Sequence, residues 1–120
     1  TGRTDVAQNA KRYIASWNET DTDRRASLLA ALWTEDARYV DPMMAGRGRA
    51  EIDALIAGVH QRFPGFRFTL SGKPDGYGDK VRFSWTLGPE GQSLVEGTDF
   101  GVIEDGGLSA VTGFLDKSPA

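Results

Sequence analysis

The stretch Trp33-Thr34-Glu35-Asp36-Ala37-Arg38-Tyr39-Val40-Asp41-Pro42 decides how this chain folds. A helical pattern ends at its start, a period of two begins at Ala37, and a proline closes it. Period two places Ala37, Tyr39 and Asp41 on one face and Arg38 and Val40 on the other. The prediction is a short strand over 37–41, with Tyr39 and Asp41 pointing the same way. Pro42 has no N–H to donate and ends the strand. An acid at the end of such a strand, on the expected wall of a core, has two readings. It is a pocket carboxylate with chemistry to do, or it caps a turn through an Asx bond.

Upstream, Val6, Ala10, Tyr13, Ile14 and Trp17 recur at helical spacing, which predicts a helix over 5–17 with Asp5 at the positive end of its dipole. Residues 18–22 form a polar break that offers N-caps. A second helix is predicted over about 22–33, with Leu28, Leu29, Leu32 and Trp33 inward and Arg24 and Arg25 outward. Downstream, Met43 and Met44 are adaptable gap-fillers suited to a core or a ligand wall. Gly46-Arg47-Gly48 reads as a turn. A third helix is expected over about 49–62 on Ile52, Leu55, Ile56, Val59 and Phe63, with Pro64-Gly65 breaking it.

From Phe66 the period changes to two. Phe66, Phe68 and Leu70 alternate with polar residues, 72–79 is rich in Gly, Pro and Asp and reads as a turn, and Val81, Phe83, Trp85 and Leu87 alternate again. Pro89-Glu90-Gly91 turns the chain into a strand over about 92–104. Asp105-Gly106-Gly107 makes a last hairpin into a strand over about 108–116. Segregated helices and an antiparallel meander mean an α+β fold, three N-terminal helices laid on a strongly curved antiparallel sheet. A bent sheet covered by helices encloses a cone-shaped cavity, a natural place for a small molecule.

Composition narrows the function. The 120 residues suit a single domain, and 39% apolar with 26% charged residues is a globular balance. A net charge of −3 with no basic stripe argues against nucleic acid. No apolar run is long enough to span a bilayer, and no signal peptide is visible, so a cytoplasmic protein is the default expectation. There is no cysteine and one histidine, which removes thiol nucleophiles and Cys- or His-rich metal sites. The expectation is chemistry without metal or cofactor.

The order of elements, with Tyr39-Val40-Asp41-Pro42 after the second helix, resembles the nuclear-transport-factor-2-like (cystatin-like) superfamily over nearly the whole of 1–120. The nearest pattern is that of ketosteroid isomerase and the SnoaL-like polyketide cyclases. Arg12-Tyr13-Ile14 is similar to the helix-one tyrosine that donates to an oxyanion. The stretch ending in Asp41-Pro42 is similar to that carrying the catalytic Asp. Asp99, in Gly97-Thr98-Asp99-Phe100, falls where the family keeps a second, hydrogen-bond-donating Asp. The resemblance implies a proton transfer beside a carbonyl, of the isomerase, cyclase or dehydratase kind. Asp41 is then the general base, strengthened by apolar surroundings, with Tyr13 and a protonated Asp99 as donors to the enolate oxygen. Tyr39, Trp17, Met44, His60, Phe83 and Trp85 are the candidates to line the substrate, a small hydrophobic carbonyl compound. Trp17, Tyr39, His60 and Trp85 lie outside the isomerase signature.

Each residue also has a plain structural reading: Tyr13 as a satisfied core tyrosine, His60 at the margin of the third helix, the tryptophans and Phe83 as core. Gly97 and Gly101 beside Asp99 read as bulges or as room for a ligand. Two other functions stand beside the first. A limonene-epoxide-hydrolase-like site needs an Asp–Arg–Asp set, for which Arg82 is the candidate arginine and Gly113 stands at the place of the last Asp. A non-catalytic binding or dimerisation module uses the same fold. The polar sheet face, with Arg82, Ser84, Thr86, Glu96 and Thr98, is the expected homodimer interface.

Overall fold

The structure, a computed structural model, describes residues 6–117; Asp5 lies outside them. In chain order the elements are α1 (Val6–Asn18), α2 (Thr22–Leu32), β1 (Trp33–Val40), β2 (Ala45–Arg47), α3 (Gly48–Arg62), β3 (Arg67–Tyr77), β4 (Lys80–Gly88), β5 (Val95–Glu104) and β6 (Gly107–Lys117). Three helices pack on one six-stranded curved sheet of order β2-β1-β6-β5-β4-β3. The sheet is open, and it is mixed where the meander alone predicts an antiparallel one. β1 runs parallel to β6, while every other neighbouring pair is antiparallel. The parallel step follows from topology: β1 returns only after α3 and three further strands.

Local chemistry sets the helix ends. Asp21 caps α2 by accepting from the Arg24 N–H at 2.9 Å. The Phe63 N–H closes α3 on the Val59 carbonyl before Pro64-Gly65. The α1 face Ala10, Tyr13, Ile14 and Trp17 is buried as its periodicity predicts. Asn18 then clamps the helix to the edge strand β3. Its amide donates to the Phe68 carbonyl at 2.8 Å and accepts from the Phe68 N–H at 2.7 Å, imitating a strand partner.

Three local expectations change. Arg25 is buried, because its Nε meets Asp53 Oδ1 at 2.6 Å and its Nη1 donates to the Glu19 carbonyl at 2.8 Å, tying α2 to α3. Ala45-Gly46-Arg47 is an edge strand paired with Val40, Tyr39 and Arg38, too short and glycine-rich to carry an alternation. β3 runs on to Tyr77 through a bulge between Ser71 and Asp75 that takes up Gly72, Lys73 and Pro74. Proline is tolerated there because a bulge on an edge strand needs no N–H. The hairpin at Asp105-Gly106 is as expected, with both residues at positive φ.

Candidate functional site

The inner faces of β4 and β5 carry Val81, Phe83, Trp85 and Leu87 and, opposite them, Val95, Gly97, Asp99 and Gly101. Asp99 is thus a carboxylate placed by strand alternation on the buried side, 2% exposed. Its partners across the ladders are Phe83 and Gly113. The two glycines beside it make room for side chains of the core. A Cβ on Gly97 would run into the Trp85 indole, and one on Gly101 would lie 2.9 Å from Val81 Cγ2. The space therefore goes to core side chains, with the Trp85 ring lying against bare backbone.

A cavity of about 340 Å³ opens between α1, α3 and this face. It is large enough for a small organic ligand. Tyr13, Trp17, Tyr39, Asp41, Met44, Trp85 and Asp99 all line it, so seven of the sequence-predicted site residues come together. His60 and Phe83 are not among the lining residues. His60 Nε2 donates to the Trp17 carbonyl at 2.6 Å and ties α3 to α1. Phe83 packs edge-on against the Tyr13 ring at 4.9 Å and supports the floor from behind. Both are core-building residues here, because the partner that satisfies each lies in α1.

The polar groups form two tyrosine–aspartate pairs. The Tyr13 hydroxyl donates to Asp99 Oδ2 at 2.7 Å, and the Tyr39 hydroxyl donates to Asp41 Oδ2 at 2.6 Å. Gly113 stands between them. A Cβ there would lie 2.8 Å from Asp99 Oδ1, 3.2 Å from Asp41 Cβ and 3.5 Å from the Tyr39 hydroxyl. Asp41 also accepts from the N–H groups of Met43 at 2.8 Å and Met44 at 2.9 Å, while its own N–H donates to the Met44 carbonyl at 2.9 Å. It is the corner of the β1–β2 hairpin: an Asx turn fixes it, and the fixed carboxylate lines the cavity.

Electrostatics separate the two acids. Sequence reading puts the desolvated carboxyl at Asp41; the deeper burial belongs to Asp99, since Asp41 is only half-buried. Burial pushes the Asp99 carboxyl up to about 6. The Tyr13 hydrogen bond and then the Trp85 indole N–H hold it down, and the Asp41 charge adds to the rise. Trp85 Nε1, like Asp99 Oδ1 and Trp17 Nε1, is buried without a hydrogen-bond partner of full geometry. Buried polar atoms without partners are costly, and three of them sit on residues that line one cavity. Burial, with the Asp99 charge next, pushes both the Tyr13 and Tyr39 phenols well above their ordinary range. They are donors that stay protonated.

The epoxide-hydrolase arrangement is not assembled. Arg82 is exposed and pairs with Asp75 at 3.0 Å on the outer side of the sheet, and position 113 supplies no carboxylate. The arginine that lines the cavity is Arg62, at the end of α3. It carries no sequence signal beyond its place before Pro64-Gly65. Phe63, Leu87, Val95 and Leu115 complete the apolar wall. Among the described residues there is no cluster of three His, Cys, Asp or Glu side chains able to hold a metal ion, and no helix long and apolar enough to cross a membrane.

Comparison with known proteins agrees with the fold. No functionally curated protein matches the chain significantly. A crystal structure from Agrobacterium tumefaciens, provisionally named an isomerase of the SnoaL-like family, is 45% identical with a TM-score of 0.89, over 92% of this chain and 97% of that one. A protein from Kribbella flavida, provisionally named a ketosteroid isomerase, is 26% identical with a TM-score of 0.71, over 94% of this chain and 78% of that one. A provisionally named SnoaL-like polyketide cyclase from a Jannaschia species shares the fold, with a TM-score of 0.71 at 19% identity over 95% of this chain and 90% of that one. The SnoaL-like domain itself matches residues 10–111, and with the cone of helices and sheet already in place, the chain belongs to the SnoaL-like family.

Proposed function

We propose that this protein catalyses proton transfer next to the carbonyl of a small hydrophobic compound, in the manner of an isomerase, cyclase or dehydratase and without a cofactor. The observation that carries this reading is the pair of carboxyls, Asp41 and Asp99, each held by a tyrosine hydroxyl and brought to one apolar cavity around Gly113. Two acids in unlike surroundings take unlike roles. Asp99, pushed up to about 6, takes up a proton as pH falls through that value. Once neutral it donates to the carbonyl oxygen, as the resemblance to the ketosteroid isomerases implies. Asp41 is held as an acceptor by three donors that fix its position, and it is the general base. Tyr13 donates to Asp99 and not directly to the ligand, so it orients the donor. Negative charge forming on the oxygen is stabilised within an apolar wall, where such hydrogen bonds are strongest.

The test is solvent-deuterium exchange at the carbon beside the carbonyl, followed by proton NMR across a panel of cyclic and aromatic ketones. Wild-type protein should exchange at least one of them well above buffer, and Asp41→Asn should lose that exchange while ligand binding persists. Binding without exchange over the whole panel would return the protein to the class of binding modules.

We also propose a homodimer through the outer face of the sheet. Phe100 and Phe114 sit there 44% and 51% exposed, with ring centroids 5.6 Å apart and nearly perpendicular. Around them, Ser84, Thr98 and Asp116 form a hydrogen-bonded polar row. An aromatic pair set in a polar face suits a self-complementary contact.

A further inference from the structure

The cavity has a direction. Its floor holds Tyr13 and Asp99, each 2% exposed. Its walls are Trp17, Phe68, Trp85 and Leu87. Its mouth is framed by the exposed Met43 and by Arg62, which is exposed at the last turn of α3. Arg62 is the one basic side chain among the described residues that line the cavity. Its Nη2 rests on Met44 Sδ at 3.9 Å, and it forms no ion pair among the described residues. A thioether is a weak acceptor, so the guanidinium fork keeps its donors for another group.

We propose that Arg62 is a specificity-determining residue that selects a ligand bearing a carboxylate at the end opposite its carbonyl, a hydrophobic keto acid. The inference rests on the reading above for the placement of the carbonyl at Asp41 and Asp99. The charges enforce the orientation. An anion finds no cationic partner at the floor, where Tyr13 and Asp99 stand, and at the mouth the guanidinium meets it with the paired donors that match a carboxylate. The apolar walls take the body of the molecule. A purely structural Arg62, complementing the C-terminal dipole of α3, would give no preference for an anionic ligand.

The probes are 4-acetylbenzoate and 4-acetylphenylacetate, which carry the carbonyl and the carboxylate at opposite ends of an apolar ring, each compared with its methyl ester, with affinity read by ligand-observed NMR at low and high salt. Wild-type protein should bind at least one acid roughly threefold to tenfold more tightly than its ester at low salt, the size expected of a charge pair at a partly exposed site. Salt should shrink the difference. Arg62→Gln should abolish the preference, bringing acid and ester to the same affinity as each other. Arg62→Lys should keep part of it, as a point charge without the fork. Equal affinity for acid and ester in the wild type, a preference that survives Arg62→Gln, or no binding of either would overturn the proposal. Deuterium exchange on the same probes is read separately. Preference without exchange leaves Arg62 in its role and removes the reaction, whereas exchange without preference does the opposite.

Discussion

Asp99 and Gly113 are paired across β5 and β6, and the missing side chain at Gly113 is what lets the Asp99 carboxyl stand in the cavity. Gly113→Ala places a methyl group 2.8 Å from Asp99 Oδ1 and 3.2 Å from Asp41 Cβ. Neither neighbour is free to yield, since Asp99 is held by Tyr13 and Asp41 by three donors. The substitution should lower exchange activity by roughly tenfold or more, because small displacements of catalytic groups are expensive. Stability should fall by about 1–3 kcal/mol, as for overpacking of a core. Kinetics and urea melts of the same variant check both.

The role of Asp99 appears as the direction of a pH profile. Its carboxyl titrates near 6, and donation to a carbonyl oxygen needs the neutral form. Rate at low substrate should therefore decline as pH rises through about 6 in the wild-type protein. In Asp99→Asn that limb should vanish, since an amide donates at every pH. A rate that instead climbs through this region would make Asp99 the base and exchange the roles of the two acids.

The same buried acid opposes folding at neutral pH. Its folded value is raised above the usual 3.8 to about 6, so the folded state binds the proton more tightly than the unfolded state. The stabilisation this gives is complete below the unfolded value and is lost as pH rises through about 6. Asp99→Asn has no such loss and can still accept from the Tyr13 hydroxyl. Relative to wild type, the variant should gain about 3 kcal/mol between acidic and neutral pH, from a shift of this size. Urea denaturation at pH values on either side of the transition measures that difference.

The outer sheet face gives a prediction about assembly. Phe100→Glu puts a charge into the Phe100–Phe114 pair, which lies on the side of β5 away from the cavity. The protein should sediment as a dimer and the variant as a monomer, with near-native thermal stability because the site is exposed. A monomeric wild type would remove the interface.

Much of this site is legible in periodicity. Tyr13 and Trp17 fall on one helix face, Tyr39 and Asp41 on one strand face, and Asp99 among small and apolar residues of β5, and all five line the cavity. Periodicity fails where a residue's fate depends on a distant partner. His60 sits at the margin of the α3 face and turns to the Trp17 carbonyl. Arg25 looks like an outward charge and is buried by Asp53. Ala45–Arg47 becomes a strand only because β1 offers it an edge.

By itself the amino-acid sequence determined the order of the three helices and of every strand but the short Ala45–Arg47, the α+β class and the inward placement of both acids, because side-chain alternation and helical spacing are local properties of the chain. Tertiary structure alone decided which acid is desolvated, that Tyr13 serves Asp99 and Tyr39 serves Asp41, that Gly113 leaves room for both, and that Arg62 lines the cavity. Those depend on distances between strands and helices far apart in the chain, and burial and hydrogen bonding act through distance.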